Sequence, residues 1–453
     1  MTFRSRATRW LSVVAIGLAA QAATADTLVQ ALSDAYANSG LLEQNRAVLR
    51  AADEDVAQAT ARLLPVLNWS TSVSRQSPVA PGGDKVQGSL SLSAQLTIYD
   101  GGANRYAIAA QKELVLATRQ SLRSVEQQVL FRAVQAYTSI NTAISLINLR
   151  ENNLRLLTQE QRAAQDRFEV GEVTRTDVAL AQARLAEARS LLVSARGDLD
   201  QARAEFEAAV GRPAGSLVAV RPAPVSKTEA EAEAIAVRNH PDILQARYNV
   251  SAGDLSIERA RAAYKPQGTL RAQTGIDFNG NTGRSVTLEF GGPIYQGGAL
   301  ASVVRQTVAQ RDQARGGLRI ATLAVQQQVQ NAYAILQVAR AQLTSTAEQV
   351  RAARLAFDGI REEATLGART TLDLLNAEQD LLNARAAVIQ AQQAEVDASY
   401  AVLMSMGLMT AEHLQLPVQV YDPNAYYNLV EDAPPALSSQ GQALDRVLRA
   451  IGQ

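Results

Sequence analysis

The chain has 453 residues, of which 47% are hydrophobic and only 5% aromatic, and it carries 44 basic against 44 acidic residues. That balance argues against a nucleic-acid partner, which needs a basic excess. The absence of cysteine excludes disulfides, thiolate metal sites, a cysteine nucleophile and a lipid anchor on an N-terminal Cys.

The first 25 residues read as a secretory signal. Arg4, Arg6 and Arg9 form a basic start, Trp10 to Ala20 is apolar, and Ala23-Thr24-Ala25 offers a small-residue cleavage site. Removing residues 1–25 takes away three Arg and no acid, leaving 41 basic against 44 acidic residues, a net charge of about −3. No later apolar run reaches the roughly 18 to 20 residues of a spanning helix. Any membrane entry must therefore use strands.

Thr27 to about Leu63 has helical composition and stops at Pro65, whose ring and missing N–H end a helix. Period-two writing follows. Leu67, Trp69, Thr71 and Val73 alternate with Asn68, Ser70, Ser72 and Ser74. Beyond a loop with Pro78, Pro81 and Gly82-Gly83, Val86, Leu90, Leu92, Ala94, Leu96 and Ile98 face away from Gln87, Ser89, Ser91, Ser93, Gln95 and Thr97. This predicts a strand hairpin over about 66–99 with one apolar and one small-polar face, as in a membrane sheet or a soluble sandwich. Trp69, the strand-end Tyr99 and its later counterpart Tyr295 suit a membrane interface.

Ala103 to Glu169 contains no Pro or Gly and reads as one helix of 67 residues, about 100 Å at 1.5 Å per residue. Ala133, Ala136, Ile140, Ala143, Ile147, Leu154, Leu157, Ala164 and Phe168 lie on its heptad stripe. Val170-Gly171-Glu172 turns the chain, and Thr174 with Asp177 writes a capping box for the next helix. There the stripe runs unbroken from Val178 through Leu185 and Leu192 to Phe206, ending at Gly211-Arg212-Pro213. Residues 212–228 read as a Pro-rich linker.

From Glu229 the programme repeats: a helix to Pro266, strands over about 267–295, and a second long helix from Ala299 to about Thr365 in which Gly316-Gly317 predicts a local bend. The turn Leu366-Gly367-Ala368, the capping box Thr370 to Asp373 and a stripe from Leu374 to Val402 follow. Pro65 and Pro266 are 201 apart, whereas everything from Tyr99 onward recurs at 196, so a five-residue difference belongs to the hairpin tip. Residues 408–453, with four Pro, predict a C-terminal segment and a loosely ordered polar tail.

The two repeats, 26–211 and 229–407, each read helix, two strands, long helix, tight turn, shorter helix. The shorter helices laid end to end span the long one, giving a rod of about 100 Å with strands at one end and turns at the other. Four strands cannot close a membrane barrel, whose smallest known form has eight, and open edges in lipid leave backbone groups unpaired. The chain must oligomerise, and two, three or four copies satisfy the arithmetic.

Pro65 and Pro266 before the strands, Pro293-Ile294-Tyr295-Gln296-Gly297-Gly298 after them, Arg167-Phe168-Glu169-Val170-Gly171 leading into Thr176-Asp177-Val178, and the duplication itself carry a resemblance. Over Thr27 to about Tyr427 the chain resembles the TolC family of outer-membrane factors. The resemblance implies a mainly α fold with a membrane β-barrel portion: a homotrimer with a 12-stranded outer-membrane barrel continued by a coiled-coil periplasmic tunnel. It implies a passive duct in the Gram-negative outer membrane for efflux or type I secretion, with residues 408 onward partly at the tunnel's equator. The implied partners are outer-membrane lipid, a periplasmic adaptor and an inner-membrane transporter of the ABC, RND or MFS type, with no cofactor and no chemistry of its own.

The resemblance also implies site residues. Arg369, Thr176 and Asp177 match a link that holds the periplasmic mouth shut, and Asp373 matches an acidic position narrowing the entrance. Asn376 stands where a second acid belongs, and Ala364 where an aromatic does. Val170, Gly171, Glu172, Leu366, Gly367 and Ala368 match adaptor-docking tips. Local chemistry alone reads Asp177 and Asp373 as capping-box residues and the two Gly as C-caps. His240 and His413 are isolated and read as structural, without metal-ligand companions. The competing readings are a periplasmic adaptor, which does not need two strand hairpins, and a secreted coiled-coil rod or pore-forming protein.

Overall fold

The structure, a computed structural model, describes residues 26–75, 77, 86–225, 227–436 and 438–451. The signal segment 1–25 and the loop from Pro78 to Gly83 lie outside the described residues. The first repeat runs α1 (Leu28–Asn38), α2 (Gly40–Ala61), β1 (Val66–Arg75), β2 (Val86–Tyr99), α3 (Ala103–Glu169) and α4 (Arg175–Val210). The second runs α5 (Glu229–Asn239), α6 (Pro241–Ala262), β3 (Gln267–Asp277), β4 (Thr282–Gly291), α7 (Ala299–Thr365) and α8 (Thr371–Ser405), followed by α9 (Pro423–Val430) and α10 (Ser439–Ile451).

Both long helices have the 67 residues read from the sequence, and α7 continues through Gly316-Gly317 without interruption. The helix expected from Thr27 to Leu63 divides instead at Ser39, extended at φ −70° and ψ 111°, whose Oγ accepts from the Leu42 N–H at 3.3 Å. Its counterpart divides at His240, where Pro241 occupies the first turn of α6 and cannot continue α5. His240 is buried, and its Nδ1 accepts from the Asp242 N–H at 3.3 Å, a structural role. The tail also departs from expectation. Rather than a loosely ordered segment it forms α9, whose Tyr426 and Val430 pack on Ala57 of α2, and α10, which adds Leu444 to that cluster.

In the layer, α3 packs against α2 and α6 toward the strands and against α4 and α8 toward the turns, while α7 packs on α6 and then α8. Four helices therefore lie abreast at either level. The deepest cores sit where the short helices meet end to end, around Tyr137 and Phe206 (6.4 Å between ring centres) and around Tyr333 and Leu336. The α4 stripe is buried as read, with Ala202 half-buried. α8 buries a second line as well, Leu375, Leu382, Val396 and Leu403, because it is wedged between α7 and α3.

The strands form one antiparallel sheet in the order β1-β2-β3-β4. Leu67 pairs with Ala94, Ala94 with Ala272 and Ala272 with Val286, so one face is apolar across all four strands. Ten residues separate β1 from β2 but only four separate β3 from β4, which puts the length difference at the hairpin tip.

Candidate functional site

The apolar sheet face carries Leu67, Trp69, Val73, Leu90, Leu92, Val286, Leu288 and Phe290, all exposed. A bulge between Thr97 and Tyr99 skips Ile98 and turns Tyr99 onto this face, where it stacks on Phe290 at 6.1 Å. Near the opposite end the Phe278 ring covers Gly88, where a side chain would collide with it. From residue 88 to 99 a strand covers about 36 Å, or roughly 26 Å of height at a 45° tilt. That matches an apolar band of about 25 Å between aromatic girdles. Trp69 lies within the band, whereas Tyr295 is exposed in the connection after β4. The alternation pattern reads Trp69, Phe278 and Phe290 alike onto the apolar face, whereas the stacking of Phe290 on Tyr99 and the cover of Gly88 by Phe278 needed the register. The opposite face is a polar ladder: Ser70 with Ser91 at 2.8 Å, Ser72 with Ser89 at 3.0 Å, and Arg271 donating to Gln95 at 3.1 Å. Among the described residues the outer edges of β1 and β4 have no strand neighbour.

At the other end the two turns are copies. Gly171 (φ +80°) donates to the Phe168 carbonyl at 3.0 Å and Glu172 to Arg167 at 2.9 Å. Gly367 (φ +76°) donates to Ala364 at 3.1 Å and Ala368 to Glu363 at 2.9 Å. This left-handed closure satisfies the last helical carbonyls and leaves Val170 and Leu366 72% and 84% exposed at the tips.

Both capping boxes form. Asp177 Oδ2 accepts from the Thr174 N–H at 2.9 Å and hydroxyl at 2.7 Å, and Asp373 Oδ2 from Thr370 at 3.1 and 2.8 Å. These bonds hold both carboxyls below the ordinary aspartate range. Arg369 donates to Glu363 at 2.7 Å, which raises its pKa further. Within one chain Arg369 is thus paired locally and is not brought to Thr176 or Asp177. Asn376 accepts from Arg184 of α4 at 3.3 Å, and Arg184 also pairs with Glu187 at 3.0 Å.

The seam between α3 and α8 holds groups the stripes did not single out. Glu378 accepts from Asn153 at 2.8 Å and Asp397 from Thr138 at 2.8 Å, while Gln393 donates to Ser139 at 3.4 Å. Leu375, Glu378 and Leu382 follow a three-then-four spacing on the second buried line of α8, the signal that could have found them.

A family model described as outer membrane efflux protein matches residues 31–212 and 234–408. The chain is 36% identical over 426 residues to the outer membrane efflux protein BepC of Brucella suis, covering 92% of each chain. It is 25% identical over 381 residues to the outer membrane protein TolC of Escherichia coli, covering 78% of this chain and 76% of that one. The fold superimposes on the outer membrane protein VceC of Vibrio cholerae with a TM-score of 0.73 at 19% identity, covering 84% of this chain and 96% of that one.

Proposed function

The chain belongs to the outer membrane efflux protein family, the TolC-type channels, and from that membership we propose that it forms the outer-membrane duct of a tripartite export machine. It is a channel protein of the outer membrane and not an enzyme. The observation that carries the proposal is the open-edged, two-faced sheet set on a layer of 67-residue helices. Joining β4 of one copy to β1 of the next removes every edge in lipid. Two copies would close eight strands, an interior just wide enough for side chains to fill. Three copies are the smallest assembly with a lumen, and they set the Ser and Gln ladder inside and the Trp69 face against lipid.

On this reading the tips at 170–172 and 366–368 receive a periplasmic adaptor, with an inner-membrane transporter beyond it supplying the energy. Arg369 closes the mouth by reaching Thr176 and Asp177 of a neighbouring copy, where the Asp177 Oδ1 is left over from the capping box. Asp373 narrows the same entrance, and Asn376 serves there as the Arg184 acceptor rather than as an acid.

Fractionation and bilayer recordings test this. Extraction from outer membranes only by detergent, a heat-labile trimer on gels and discrete conductance in planar bilayers are expected. A monomer that leaves the periplasm without detergent overturns the proposal in favour of a soluble rod.

A further inference from the structure

We propose that the apolar face of the sheet holds a phosphorylated lipid of the outer leaflet, its phosphate on the guanidinium of Arg284 and one acyl chain in the trough beside it. The inference rests on the channel reading above, which sets this face in the membrane, and names a ligand for it.

The register decides which residues share that face. In one row Leu67 pairs with Ala94, Ala94 with Ala272 and Ala272 with Val286, so two small side chains lie between two large ones. In the next row toward the hairpin tips Trp69 pairs with Leu92, Leu92 with Thr274 and Thr274 with Arg284. The low floor of Ala94 and Ala272 between Leu67, Leu92 and Val286 opens a trough of about 330 Å³, with Arg284 on its rim.

Arg284 is the exception on its strand. It shares the parity of Val286, Leu288 and Phe290, which are apolar and exposed, and it is exposed with them. Among the described residues its guanidinium has neither a hydrogen bond nor an ion pair. The strand from Phe290 up to Arg284 covers about 20 Å, or about 14 Å of height at a 45° tilt. That is past the middle of an apolar band of about 25 Å. An unpaired cation facing acyl chains at that depth is costly, and the cost falls when the side chain snorkels outward to an anion at the head-group level.

A guanidinium grips a phosphate through two parallel N–H bonds. The Thr274 hydroxyl, directly across the strand pair and exposed, adds a donor. Arg75, the last residue of β1, lies on the same face two positions beyond Val73, and joining β1 of the next copy to β4 puts this second cation on the strand beside Arg284. A trough alone would take any acyl chain, and an exposed Arg alone would draw any anion. Side by side they select a molecule that carries both, and the hairpin-tip side of the sheet, away from the helices, assigns it to the outer leaflet.

Native mass spectrometry of the full-length trimer in detergent tests this, with diphosphoryl lipid A as the probe. The wild type is expected to retain one lipid A per chain, and R284Q and A272L at least about fivefold less, each with unchanged trimer content. Lipid A stripped of both phosphates is expected to bind the wild type no better than R284Q. Equal retention by the wild type and either variant, or of the two forms of lipid A by the wild type, overturns the site. A protein that leaves the periplasm without detergent fails the channel reading itself, and the lipid site falls with it.

Discussion

Asp53 of α2 is fully buried, and among the described residues neither of its carboxylate oxygens has a hydrogen-bond partner. Burial pushes it up to about 6, with Arg119 pulling down and Glu54 adding to the rise. A carboxyl raised in the folded state costs stability that is absent at low pH, develops above the unfolded value and is complete above about 6. Asp53→Asn is therefore expected to stabilise the protein by roughly 2 kcal/mol more at pH 8 than at pH 4.5; thermal melts at the two pH values measure it, and equal shifts contradict it. Arg369 poses a different residue-scale question, because its partner inside the chain, Glu363, lies only six residues away. Arg369→Ala is expected to raise resting conductance severalfold with unchanged trimer content. An unchanged closed state removes Arg369 from the gate. The capping boxes were legible because Thr-x-x-Asp bonds span one turn, whereas Arg184 with Asn376 and Asn153 with Glu378 join residues that only the packing of separate helices brings together.

Among elements, the turns give the sharpest test. At Gly171 a side chain would meet nothing within 4 Å, although φ +80° is costly for most residues; Asp is among those that tolerate this region. Gly171→Asp is thus expected to leave the trimer folded at a cost of about 1 kcal/mol, while adding a charge at the tip that abolishes assembly with an adaptor. Intact export complexes on a folded trimer would show that the tip does not dock. The elements themselves were legible wherever a period ran long: the 67-residue helices, the two hairpins and the α4 stripe. The break at Ser39 was hidden because Ser-Gly within a long Ala-rich run gives a weaker stop than Pro, yet the second repeat marks the same joint openly as His240-Pro241. α10 escaped because its helix follows a Pro-rich stretch whose composition reads as tail.

At the scale of the molecule, α7 carries two stripes of opposite phase. Val325, Val329, Ala332, Leu336, Ala339 and Thr346 face the neighbouring helices of the same chain and are buried. Ile320, Leu323, Ile335, Val338 and Leu355 are 57–77% exposed, and counted from Ile320 each falls within about one residue of a 3.5-residue repeat. The buried set lies about half a repeat away. A helix at the margin of a four-helix layer has no use for a second apolar seam unless another helix covers it, and the sheet above ends in the unpaired β4 edge on the same repeat. If this face were solvated, polar substitutions would shift stability by no more than about 0.5 kcal/mol. If it is the seam between copies, Ile335→Asp with Val338→Asp places two charges in each of three interfaces. The double variant is then expected to keep its helical content while its trimer dissociates on gels at a temperature lower by 10 °C or more, on the order of what several kcal/mol produce. An unchanged trimer would move the interface off α7 and leave the strand edges alone to hold the assembly.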